Sequence, residues 1–221
     1  MKVMLVAIIA LGTSSSFAQN LTKAQLSTIL QSKKITLEAI HVGMSKSMMT
    51  NSTVTLDDGT KCDFRQTALQ SILKIEGEKM VVVSKETFQP VALPACQAAG
   101  LEAFEETVLF YEAKPSLAQD LKDLDASDVK AISRTGEIVT MTVAGTIEGS
   151  AQTELLTVKY DLSKSSFKNM LLSQSPSFKI ETSEAADIDV NTVNLTDVVF
   201  CENNDGVKED CVRGDFSDIL F

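Results

Sequence analysis

The sequence predicts an α+β fold: an N-terminal helix, then an antiparallel β meander, forming a curved sheet or half-barrel, interrupted by a central helical segment. Three observations carry this expectation. Thr22 and Gln25 have capping-box spacing just ahead of an apolar stripe at helical period. Short runs of alternating apolar and polar residues recur, separated by Asp-Gly and Glu-Gly turn sequences. Between residues 95 and 133 the composition moves from β-formers to helix-formers.

The chain begins with a segment that reads as an address rather than as fold. Lys2 precedes an apolar run from Val3 to Leu11, and Ser16-Phe17-Ala18 ends in small residues. That is the pattern of a secretory signal peptide over residues 1–18, too short at its apolar centre to span a bilayer. Residues 19–221 then form a single domain, exported to a periplasmic or secreted location and folded under oxidising conditions.

In that domain Leu26, Ile29 and Leu30 form the apolar face of the first helix, with Leu21 and Leu26 as a hydrophobic staple and an end near Ser32-Lys33-Lys34. From Ile35 the period is ambiguous: Leu37, Ile40, His41, Met44 and Met48 fit a helical stripe, but Ile35, Leu37 and Ala39 alternate with Thr36 and Glu38 and no N-cap precedes them, which favours a strand. Thr53 to Leu56 and Thr60 to Phe64 flank Asp57-Asp58-Gly59 as a hairpin. Ser71 to Ile75 and Lys79 to Ser84 form a second hairpin about Glu76-Gly77-Glu78. Within it, the continuous apolar run from Met80 to Val83 predicts a strand covered on both faces.

Pro90 and Pro94 mark a loop carrying Cys96. Leu101 to Glu112 is expected to be helical, Ser116 and Gln119 have a second capping-box spacing, and Ser127 is expected to cap a short helix through Ile132. Beyond Gly136 the alternation resumes. Ile138–Ala144, Glu154–Leu162, Phe167–Ser173 and Phe178–Thr182 form a meander, and Thr192–Phe200 is the last strand.

The chain carries a formal net charge of −10, and loss of Lys2 with the signal makes it more negative still. Such a surface repels phosphate backbones, so nucleic acid is excluded as a partner. Tryptophan is absent and Tyr111 and Tyr160 are the only tyrosines, which disfavours the aromatic platforms of sugar-binding or single-strand-binding surfaces. No second apolar stretch reaches membrane-spanning length. The four cysteines, Cys62, Cys96, Cys201 and Cys211, show no CxxC spacing and read as two disulfides. Three pairings are open, and sequence proximity favours Cys62–Cys96 with Cys201–Cys211. On a loop-closure basis these would contribute roughly 4 and 3 kcal/mol.

His41 is the sole histidine, and no GxSxG elbow accompanies it. His41, Met44, Met48 and Met49 form a set chemically suited to Cu(I), but methionines at helical spacing usually fill cores. In the acidic stretch from Glu202 to Asp210, placing Gly206 at the sixth position of a calcium loop puts Cys201 first and Val212 last, so that motif fails. Asp187 and Asp189 are spaced to share one side of a strand, with nothing else converging on them. No catalytic, metal or cofactor site is therefore assigned.

The predicted element order is similar to that of periplasmic lipoprotein and lipid carriers, in which a curved sheet holds an apolar cavity under helices. The resemblance covers most of the chain after residue 18 and rests on element order, so it carries over no site residue. It implies a non-enzymatic exported soluble protein that binds an apolar small molecule or a protein partner on the sheet. A hydrolase with a Ser or carboxylate site and a structural envelope protein are the alternatives.

Overall fold

A helix begins where the capping box places it. In the computed structural model, which describes residues 18–90, 94–146, 153–201 and 211–220, α1 spans Lys23–Ser32. The Thr22 hydroxyl accepts the Gln25 N–H, and the Gln25 side chain accepts the Thr22 N–H. Such a cap contributes about 1 kcal/mol. The signal segment and the acidic loop 202–210 lie outside the described residues.

After Lys33 a single helical turn, α2 (Lys34–Leu37), replaces the expected strand. Residues two apart on a strand share a face. Ile35 is 91% exposed and Leu37 only 1%, so the two face different surroundings. The turn of helix delivers Leu37 alone to the core.

The strands are β1 (Gln19–Asn20), β2 (Ser45–Thr55), β3 (Lys61–Glu76), β4 (Lys79–Pro90), β5 (Phe104–Ala113), β6 (Asp128–Thr135), β7 (Ile138–Thr146), β8 (Thr153–Asp161), β9 (Met170–Gln174), β10 (Phe178–Glu184), β11 (Val198–Cys201) and β12 (Cys211–Gly214). Among the described residues they form one sheet in the order β1-β6-β7-β8-β9-β10-β2-β3-β4-β5-β11-β12. Its ends, β1 and β12, do not pair with each other, so the sheet is not closed into a barrel. The meander expectation holds inside two runs, β2–β5 and β6–β10, which are joined where β10 pairs with β2. It fails at β11, which returns parallel to β5 and makes the sheet mixed.

Both expected hairpins form, and the strands of the second are longer than the sequence suggests, with Gly77 at φ +58° in its turn. The helices expected over 101–112 and 127–132 do not form; β5 and β6 occupy these positions. β5 pairs with β4 along its whole length, from Phe88 opposite Phe104 to Lys79 opposite Ala113. A helix there would leave the β4 edge without backbone partners. The Ser127 hydroxyl donates to the Asp123 carbonyl and so closes the preceding helix, rather than opening a new one.

That preceding helix, α4 (Leu117–Ala126), is what remains of the central helical segment, together with the short α3 (Pro94–Ala98) that carries Cys96. Ser116 sits at the N-cap without a side-chain bond. Glu38 instead accepts the Leu117 N–H at 2.9 Å and ties α4 to the end of α2. Two of the later predicted strands are shortened: Phe167–Ser173 is strand only from Met170, because Phe167 turns into the core. Thr192–Phe200 is strand only from Val198, after a 3-10 turn at Val190–Thr192. Disulfides join Cys62 to Cys96 and Cys201 to Cys211.

Three apolar clusters hold the layers together. One packs α1, α2 and α4 on β6 and β7 through Leu26, Leu37, Leu117, Leu124, Ile132 and Val139. A second covers the same face of β3–β5, where Ile72, Met80, Val82 and Phe110 meet Met44 and Phe167. The third lies on the opposite face, where the chain returning from β10 lays Leu195 and Val198 over Leu73, Val81, Val83 and Leu109. Met80 to Val83 are buried on both sides, as the continuous apolar run predicts.

Gly43 joins these layers. Its N–H donates to the Ile72 carbonyl at 2.8 Å, and its carbonyl accepts the Ile188 N–H at 2.9 Å. Its φ is +90°, and a Cβ there would stand 2.6 Å from the Ile188 oxygen. Strain of this kind costs about 1–3 kcal/mol before the clash is relieved. Gly43→Ala is therefore expected to lower urea stability by at least about 2 kcal/mol. Gly77→Ala, with nothing within 4 Å of the added carbon, is expected to cost about half that. Equal losses in the two variants would refute the close-approach account.

Candidate functional site

β-strand alternation puts the residues of β6–β10 and β2 that face α1 and α4 on one surface. The register makes this explicit: Val129 lies opposite Val143, Met141 opposite Val158, Val139 opposite Tyr160 and Met48 opposite Thr182. Between this surface and the helices lies a cavity of about 500 Å³. Its floor is Val129, Val139, Met141, Val143, Leu156 and Val158, and its roof is Leu26 and Leu30 of α1 with Leu124 of α4. A second depression of about 680 Å³, at the far end of the β2–β3 hairpin, is lined largely by polar groups such as Asn51, Asp63, Arg65 and Lys179. Small-molecule sites are apolar clefts with a few convergent polar groups, which favours the first.

Few polar groups enter the apolar cavity. Asp120 of α4 has its carboxyl raised above the ordinary value by burial, then by the nearby carboxylates of Asp123 and Glu38. The Ser166 hydroxyl offsets part of this rise, although it completes no well-formed hydrogen bond. Tyr160 is raised by burial and by Asp120. Lys46 of β2 is lowered by burial, a change the Glu112 carboxylate opposes. Its Nζ stands 4.2 Å from the centroid of the Phe167 ring, a contact worth about 0.5–2 kcal/mol. The Thr182 hydroxyl is buried and has no hydrogen-bond partner.

The residues singled out in the sequence are distributed elsewhere. Met44 is buried in the second cluster and its sulfur accepts from Ser165. Met48 and Met49 point to opposite faces of β2, and Arg65 donates to the Met49 sulfur. His41 lies on the exposed loop before β2, with its Nε2 2.7 Å from Asp187. The copper set is thus not brought together. The Ser45 hydroxyl donates to the Gly43 carbonyl and bonds Ser71, rather than His41.

Asp187 corrects one expectation directly, because several groups converge on it. It lies in the irregular segment after β10, and Asp189 beside it caps the Val190–Thr192 turn. Lys168 at 2.8 Å, His41 and the Ser45 N–H all donate to its carboxylate. Sequence spacing could not reveal this, since the partners come from two segments far from Asp187 in the chain. Lys46, the one basic residue among the described residues that line the cavity, was missed too, because one lysine on a strand resembles any surface lysine until the fold covers it.

The Lys168 ammonium, with His41 and Ser45 adding to it, holds the Asp187 carboxyl at about 2, below its ordinary 3.8. A depressed carboxyl stabilises the fold above its unfolded value and loses that contribution as pH falls through the folded one. Asp187→Asn should therefore melt below the wild type at pH 7, with the gap closing between ~4 and ~2. The site is partly exposed, so the gap should be a modest one and should shrink in high salt. A gap independent of pH, measured by thermal melts across that range, would remove the ionised carboxylate from the explanation. No protein-family model, curated protein or solved structure matches this chain, so the chemistry of the cavity rests on the chain's own residues.

Proposed function

We propose that this is a non-enzymatic exported binding protein that takes an apolar ligand into the cavity between the sheet and α1 with α4, the half-barrel sheet acting as a trough. The observation that carries the reading is the lining: aliphatic side chains from three neighbouring strands and two helices enclose about 500 Å³. That volume falls in the roughly 300–1,000 Å³ range of small-molecule sites. A hydrophobic interior is normally filled to close-packed density, so space of this size costs stability unless something occupies it in use.

Export is the second part of the proposal. It rests on the signal-like residues 1–18 and is compatible with two disulfides. Among the described residues no helix is long and apolar enough to cross a membrane. Cleavage after Ala18 would free Gln19, which is the first residue of β1 and pairs with Arg134 of β6. N-terminal sequencing of the exported protein should read Gln19 first. A retained Met1 would refute the export reading and leave the cavity reading standing.

For the ligand, long-chain fatty alcohols and detergents should raise the melting temperature, because only ligands that prefer the native state do so. Lipid extraction of the purified protein, followed by mass spectrometry, should recover an apolar molecule in stoichiometric amount. Leu156→Trp, which fills part of the floor, should keep the fold by circular dichroism and lose the shift. Stabilisation undiminished in Leu156→Trp would place the ligand elsewhere.

A further inference from the structure

We infer that the ligand of this cavity is a single-chain amphiphile with an anionic head, and that Lys46 receives the head as its ion-pair partner. The inference rests on the apolar-cavity reading above and names the ligand class it takes. Lys46 is the one basic residue among the described residues that line the cavity. On the register its direct cross-strand neighbour is Glu184, which would be the natural partner. Glu184 is instead engaged by Lys164 at 3.0 Å. Lys46 is left with the ring face of Phe167 and the field of the Glu112 carboxylate, which makes no ion pair with it.

A lysine ammonium carries three donors, and a ring face accepts no more than one direction of approach. Among the described residues no hydrogen-bond or ion-pair acceptor serves Lys46. A half-buried cation without an acceptor loses part of its hydration at a cost, which is the reason burial lowers its proton affinity. An anion placed against it would recover that cost.

Thr182 supplies the second contact. It pairs with Met48, two residues from Lys46 on the same face, so it is the diagonal neighbour of Lys46, at about 7–8 Å between backbones. Its hydroxyl is buried and unpartnered. A carboxylate seated between the two would accept from the ammonium and the hydroxyl together. The apolar floor then runs from this point across β8 and β7 beneath α1, as an acyl chain requires. The other charged groups of the wall, Asp120 and Asp123, are both carboxylates and make no ion pair with Lys46. They cannot receive an anion, so the head belongs at the Lys46 end. Long-range attraction does not explain the arrangement, since the chain is acidic overall.

Titration calorimetry with a long-chain fatty acid and the fatty alcohol of the same length tests this. The wild type should bind the acid about tenfold or more tightly than the alcohol. Lys46→Met, which keeps the aliphatic stem, should lose that preference, its affinity for the acid falling to that for the alcohol. Lys46→Arg should retain it, and Thr182→Val should reduce it. Equal affinity of the wild type for acid and alcohol would overturn the inference while sparing the cavity reading. So would a preference that persists in a folded Lys46→Met. Failure of both probes to bind the wild type would overturn the cavity reading, and this inference with it.

Discussion

The pairing of β10 with β2 is the constraint on which the rest of the structure depends. It runs from Phe178 opposite Ser52 to Glu184 opposite Lys46 and joins two runs of strands that are each locally connected. Neither run reaches the other through a short turn. The chain leaves β5 at Ala113, passes through α4 and enters β6 at the far side of the second run, so that β6–β10 is laid down toward β2. Without this ladder the two runs would be separate small sheets, each with an unprotected edge. With it, six neighbouring strands face α1 and α4, and the cavity exists between them.

Both faces of the first run are then covered by different means. Met44, Phe167 and the loops around them cover Ile72, Val82 and Phe110 on one side, and the return from β10 to β11 covers Val81, Val83 and Leu109 on the other. The return is pinned where it crosses the start of β2, through the paired backbone bonds of Gly43 and the ion pairs of Asp187. The helices close the second run by aliphatic contacts, by the Glu38 cap on Leu117, by the Lys23 ammonium on the Asp125 and Ser127 carbonyls, and by the Lys33–Glu137 ion pair. Such contacts are individually weak and can be remade, which suits a site that admits an apolar molecule.

Charge inside the cavity is arranged unevenly. Asp120 stands near other carboxylates, and Lys46 lies over one ring within the field of Glu112. A packed core has no use for either, since replacing an unpaired buried charge with a hydrophobe is generally stabilising.

Much of the local structure was legible in the sequence, because it is decided by neighbours in the chain. The capping box at Thr22 and Gln25, the Asp-Gly and Glu-Gly hairpins and the doubly buried run at Met80–Val83 all depend on short-range hydrogen bonds or on a period of two. The cysteines paired as their spacing favours. Helix-forming composition misled where pairing decided instead: residues 104–113 became β5 because the β4 edge had to be satisfied along its length, a demand made by residues far back in the chain. The short helix at Leu37 and the parallel return of β11 were likewise settled by what each segment had to cover. The candidate site belongs wholly to this second kind. Lys46, Thr182 and Asp120 carry no motif, and only the β10–β2 ladder and the two helices above it place them on one apolar cavity.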